Sequence, residues 1–118
     1  MLHYTLLFIA LSFSCLVRAD VEPMGEAEKQ ALHERAQQLK NQANTLRQES
    51  ETRYATEQKE CWKKFLVNAC MDKAKTELID KKEESRQLEK EAREIERKIK
   101  RQAVAARQAK RNANVQQQ

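Results

Sequence analysis

Cys61-Trp62-Lys63-Lys64-Phe65-Leu66-Val67-Asn68-Ala69-Cys70 is the stretch on which the fold turns. In one unbroken helix its two cysteines would stand nine residues apart, a rise of ~13.5 Å with the side chains about half a turn out of phase. A disulfide needs its Cα atoms within ~7 Å, so an intramolecular bridge and a straight helix exclude one another. Two readings follow: a helical hairpin closed by Cys61–Cys70 at a bend, or a long continuous helix with free or intermolecular thiols. For the hairpin, Asn68 is the expected turning point, because Asn tolerates left-handed backbone and caps helix N-termini. Trp62, Phe65, Leu66, Val67 and Met71 make this the most apolar stretch beyond the leader. They are expected to pack over the end of the hairpin and cover the bridge, with contact to another copy or to a foreign partner as the alternatives.

Outward from the bend run two charged arms. Pro23 and Gly25 are the only proline and glycine, and from Glu26 to about Arg111 the strong helix formers Ala, Glu, Lys, Arg, Gln and Leu dominate. In the first arm, about 26–64, Leu32, Leu39 and Leu46 recur at seven with Ala36 and Ala43 between them, the pattern of a narrow coiled-coil seam. The phase slips where Arg53 takes an apolar position, and Tyr54 and Cys61 continue one residue later. In the second arm, about 69–111, the seam reads Ala74, Leu78, Lys81, Ser85, Leu88, Ala92, Ile95, Ile99, Gln102 and Ala106. Six glutamates precede a base by four residues (Glu49/Arg53, Glu60/Lys64, Glu77/Lys81, Glu89/Arg93, Glu94/Lys98, Glu96/Lys100), and such pairs support a single exposed helix. Residues 112–118 are amide-rich without periodicity and are expected to form a disordered tail.

Folding the chain about the midpoint of the cysteines pairs residues whose numbers sum to 131: Leu32 with Ile99, Ala36 with Ile95, Leu39 with Ala92, Ala43 with Leu88, Leu46 with Ser85. Four of these five layers set a large side chain against a small one, which lets antiparallel helices interdigitate. The expected fold is all-α, two long antiparallel helices with a disulfide at the bend. So thin a seam encloses no globular core, and self-association is expected to add burial.

The first residues read as an export signal over 1–19: Leu2 to Val17 is mostly apolar, and Val17 and Ala19 form an A-x-A-like cleavage site. The apolar run is shorter than the ~20 residues of a membrane span. Cys15 could be lipidated only in a poor context, after Ser12 and Phe13. An even pair of cysteines beyond the leader fits an oxidising compartment. The chain is formally +5, or +4 without Arg18 of the leader, and all of that remaining excess lies at the C-terminal end. Arg97, Lys98, Lys100, Arg101, Arg107, Lys110 and Arg111 meet no acid, whereas residues 20–96 hold 15 bases against 18 acids. Such a block marks a candidate anion-binding surface or a solvated helix end. Helical winding is expected to place Arg97, Lys100, Arg101 and Lys110 on roughly one side.

Enzyme chemistry is not indicated, and no cofactor or metal is expected. His33 stands far along the first arm from either cysteine, which matches no zinc spacing. The thiols lack the C-x-x-C spacing of a redox enzyme, and no glycine-rich loop is present to cradle a phosphate.

The core C-W-x-K-F-x-V-N-x-C-M, Cys61 to Met71, resembles the C-aromatic-x-basic-F-x-V-N/D-x-C-L core of short exported, charge-rich coiled-coil proteins of proteobacteria, a group of uncharacterised activity. The resemblance covers the arms only by composition. It implies a cell-envelope location and a paired cysteine motif. A looser similarity in basic charge, export and long helical arms is to Skp-type periplasmic chaperones, from which this chain departs by lacking a β-strand body. The expectation is a non-enzymatic periplasmic hairpin with a structural or protein-interaction role, partnered by its own copies or another envelope protein. The alternative is a holdase-like or envelope module that binds anionic lipid or lipopolysaccharide through the basic end. Nucleic acid would become a partner only if the chain were not exported.

Overall fold

The computed structural model describes residues 23–117; the expected export signal, with Cys15 inside it, lies outside the described residues. Two helices, α1 (Glu26–Cys61) and α2 (Val67–Gln116), pack antiparallel as a hairpin. Cys61 and Cys70 are joined, with Cα atoms 5.5 Å apart, so the closed hairpin holds and the continuous helix does not.

Both helices form on propensity and lack side-chain caps. Gly25 opens α1 from an extended conformation, and the Lys29 amide donates to its carbonyl at 3.0 Å. Glu26 and Glu28 in the first turn and Lys59 in the last complement the helix dipole. α2 does not stop at Arg111 but continues through Asn112 to Gln116. Neither Gly nor Pro interrupts it there, and a fully solvated helix needs no seam once its backbone ladder is propagating.

The core is a thin line of mostly small side chains. Ala36, Leu39 and Ala92 form its centre, with Leu88 and Ile95 packed against them. Ala43, Ala74 and Ile99 are also buried. The Leu39/Ala92 and Ala36/Ile95 layers therefore meet as the sum-of-131 register requires. Ser85, the polar member of the seam, is buried as well, and its hydroxyl donates to the Ala43 carbonyl across the pair at 2.9 Å.

Cross-helix ion pairs follow the same register: Glu28–Lys98, Arg35–Glu91, Lys40–Glu96, Arg47–Glu89, Glu51–Lys82 and Arg53–Glu77. Of the six intrahelical pairs expected from spacing, only Glu89–Arg93 forms. Glu77, Glu96 and Lys98 instead reach the facing helix. An isolated-helix rule cannot anticipate this, because it has no second helix to offer a partner.

The slip in α1 is real and α2 mirrors it. Leu46, Ser50 and Tyr54 face inward at successive intervals of four, a stutter that locally unwinds the supercoil. On α2 the inward line runs through half-buried Leu78 and Lys82 to buried Ser85, so the expected seam residue Lys81 is displaced. Lys81 lies exposed and pairs with Glu84 at 2.8 Å, while Lys82 crosses to Glu51 at 2.9 Å. The two slips lie opposite each other because a shift in one helix alone would break the layers beyond it.

Candidate functional site

The bend is built without any residue in the left-handed region. The Trp62 amide still donates to Gln58 at 3.3 Å; the Lys63 and Lys64 amides then donate three residues back, to Glu60 at 3.1 Å and Cys61 at 3.0 Å. This tightening ends α1, and Leu66, at φ −100° and ψ 66°, redirects the chain into α2. The Cys70 amide donates to the Leu66 carbonyl at 3.1 Å, which sets Cys70 in the first turn of α2 beside Cys61. Asn68 is therefore not the turning point. It stands exposed as the second residue of α2, after a turn already made by residues 62–66. Bringing Cys70 to Cys61 within a nine-residue separation needs the reversal earlier than local propensity would put it.

The expected apolar lid over the bridge is not formed. Phe65 is 100% exposed, Trp62 71% and Leu66 67%, whereas Cys61 beneath them is buried. Val67 and Met71 are only half-buried. The residues of the turn point away from the helix pair, because the hairpin is two helices wide and offers no surface beyond its own end. Around them stand lysines that the reading of the motif as a lid passed over. Lys63 pairs with Glu60 at 2.7 Å, while Lys59, Lys64 and Lys73 make no ion pair among the described residues. The hydrogen bond from Lys63, its charge, and the charge of Lys64 hold the Glu60 carboxyl below the usual glutamate range. The visible signal was the Lys63-Lys64 pair set between aromatics.

The basic end of α2 is divided. Arg97 pairs with Glu94 at 3.0 Å and Lys98 with Glu28 at 3.5 Å, so acids from before residue 97 partly neutralise the block. Lys100, Arg101, Arg107, Lys110 and Arg111 are exposed and make no ion pair among the described residues. Arg97, Lys100 and Arg101 border a shallow groove with Val104, Ala105 and Gln108. Lys110 does not join them; with Arg107 it borders a different groove, beside Pro23 and Met24. Lys110 lies about 3.6 turns beyond Arg97 and so on another side, whereas Arg111, at about 3.9 turns, returns to it.

A third feature is the polar gap at the stutter, a cleft of about 450 Å³ bordered by Ser50, Tyr54, Glu57, Glu77 and Lys81. Arg53 also borders it, 2.7 Å from Glu57 and 2.9 Å from Glu77. The Glu57 hydrogen bond and the two carboxylate charges raise its pKa. Arg53, Glu57 and Glu77 satisfy one another, and the remaining charged groups of the lining are Lys81, paired with Glu84, and the exposed Asp80. His33 is exposed on α1. Among the described residues no three metal-ligating side chains cluster, and no helix is long and apolar enough to cross a membrane.

No protein-family model, curated protein or solved structure matches this chain. Its site must be read from the geometry.

Proposed function

We propose that this chain is a non-enzymatic interaction protein of the cell envelope, a stiff hairpin whose contact site is its disulfide-held tip. One observation carries the reading: Trp62, Phe65 and Leu66 are exposed together at the apex while the bridge fixes the backbone that presents them. Fixing the turn in advance lowers the ordering cost of a contact made there. The envelope location is supported by the leader-like residues 1–19 and by a bridge suited to an oxidising compartment. A photocrosslinking residue in place of Phe65 should give adducts in intact cells, whereas one in place of Glu83, exposed on the side of α2, should not. Equal labelling from both positions, or none from the tip, would remove the tip as the contact site.

A second reading is attachment through the basic end of α2 to anionic lipid or lipopolysaccharide, in the manner of a holdase or envelope-binding module. It is favoured by the five unpaired bases from Lys100 to Arg111. They lie far from the tip, since Arg101 is roughly 50 Å along α2 from Leu66. Replacing those five by Gln should abolish salt-sensitive attachment if this end is responsible, and leave it intact if the tip is.

A further inference from the structure

The three apex side chains offer roughly 400 Å² of apolar surface. Each member of a stable protein complex contributes about 800 Å², so this convex apex supplies about half of what a folded protein partner needs. Pairing with the apex of a second copy is opposed by charge. Residues 59–73 contain Lys59, Lys63, Lys64 and Lys73 against Glu60 and Asp72, and no acid stands in the first turn of α2. Two such ends would bring like charges together over a small contact.

A bilayer makes neither demand. It needs no complementary shape, it accepts aromatic rings at headgroup level, and lysine stems can lie along apolar groups while their ammonium ends stay with phosphates. Both helices run away from the apex, so only residues 62–66 can enter. Glu60 and Asp72, one turn back on each arm, limit the depth. We infer that the hairpin tip docks end-on to an anionic phospholipid bilayer, with Trp62, Phe65 and Leu66 in the interface and Lys63 and Lys64 among the headgroup phosphates. This names the partner of the tip and rests on the reading of the tip as the contact site.

The chain has one tryptophan, and it lies in the patch, so its emission is a built-in probe. With the oxidised protein at low salt, vesicles of phosphatidylcholine mixed with phosphatidylglycerol should shift Trp62 emission to the blue. Lipids brominated high on the acyl chain should quench it, and phosphatidylcholine alone should do little. Phe65→Asp, at a fully exposed position where folding is not at stake, should weaken partition roughly tenfold or more. Lys63→Gln with Lys64→Gln should weaken it by about tenfold or more and reduce its salt dependence. Replacing the five unpaired bases at the far end by Gln should leave the Trp62 shift in place. The proposal is overturned if anionic vesicles leave Trp62 emission unchanged, or if the shift survives Phe65→Asp. It is also overturned if emission shifts with protein concentration alone, which would identify a second copy. Crosslinks from position 65 to a protein, with vesicles ignored, would defeat the bilayer and leave the tip as the contact site; absence of both would defeat the two together.

Discussion

Ala92 has no exposed surface and sits against Leu39 and Ala36 in the centre of the helix pair. Ala92→Leu should therefore overpack the seam at a cost of about 1 to 3 kcal/mol, read as a lower urea midpoint with oligomeric state held constant. Ser85→Ala should cost less. It removes an interhelical hydrogen bond worth about 1 kcal/mol, offset in part by the helix propensity of Ala, and the Ala43 carbonyl keeps its place in the α1 ladder. Two exposed glutamates give a pH prediction of definite sign. Glu60, through Lys63, and Glu83, through its hydrogen bonds with Gln87 and Arg86, have carboxyls lowered in the folded state. Their contribution is present above the usual glutamate range and is lost as pH falls through their folded values. Helix melting followed by circular dichroism should shift to lower temperature as the pH is taken below that range, with a shallower fall in Glu83→Gln. Single residues were legible where burial follows period, as for Leu39 and Ala92. They were not legible where two neighbours compete, since Lys81 and Lys82 differ only in what the opposite helix offers each.

At the scale of elements, both arms were visible as helices because nothing else in their composition competes. The turn was visible only as a necessity, from the incompatibility of a bridge with a straight helix. Its place was misjudged at Asn68 because turn propensity is a local preference, while the reversal is located by bringing Cys70 to 5.5 Å from Cys61. Residues 62–66 contain no glycine or proline and adopt no left-handed backbone, so the bridge is the main constraint on the turn. Cys61→Ser with Cys70→Ser should lower stability by roughly 2 to 3 kcal/mol, the chain-entropy value for a loop of about ten residues. Urea unfolding of the oxidised protein and of the double variant measures this. An equal midpoint in the two would mean that the helix pair alone enforces the turn.

For the molecule as a whole, side-by-side charge complements a core too thin to define a unique register alone. Six ion pairs join α1 to α2. Exposed pairs contribute up to about 1 kcal/mol each, so screening them should cost roughly 1 to 3 kcal/mol in all. Raising sodium chloride toward 1 M, where the screening length falls to ~3 Å, should lower the urea midpoint. A midpoint that does not move would assign the register to the apolar layers and the bridge alone.

The chain's own residues determine that it is helical, that it must reverse between Cys61 and Cys70 if those cysteines join, and that Leu39 lies near Ala92. Each of these depends on periodicity, composition or a covalent distance, all readable along one dimension. Tertiary structure alone decided that Arg53, Lys40 and Lys98 pair across the hairpin and that Lys82 replaces Lys81 in the line. It also decided that Trp62, Phe65 and Leu66 face outward. Partner choice depends on what lies within a few ångströms once two helices are side by side. Whether an apolar tip is covered depends on whether the fold is wide enough to cover it, and a hairpin only two helices across leaves its end open.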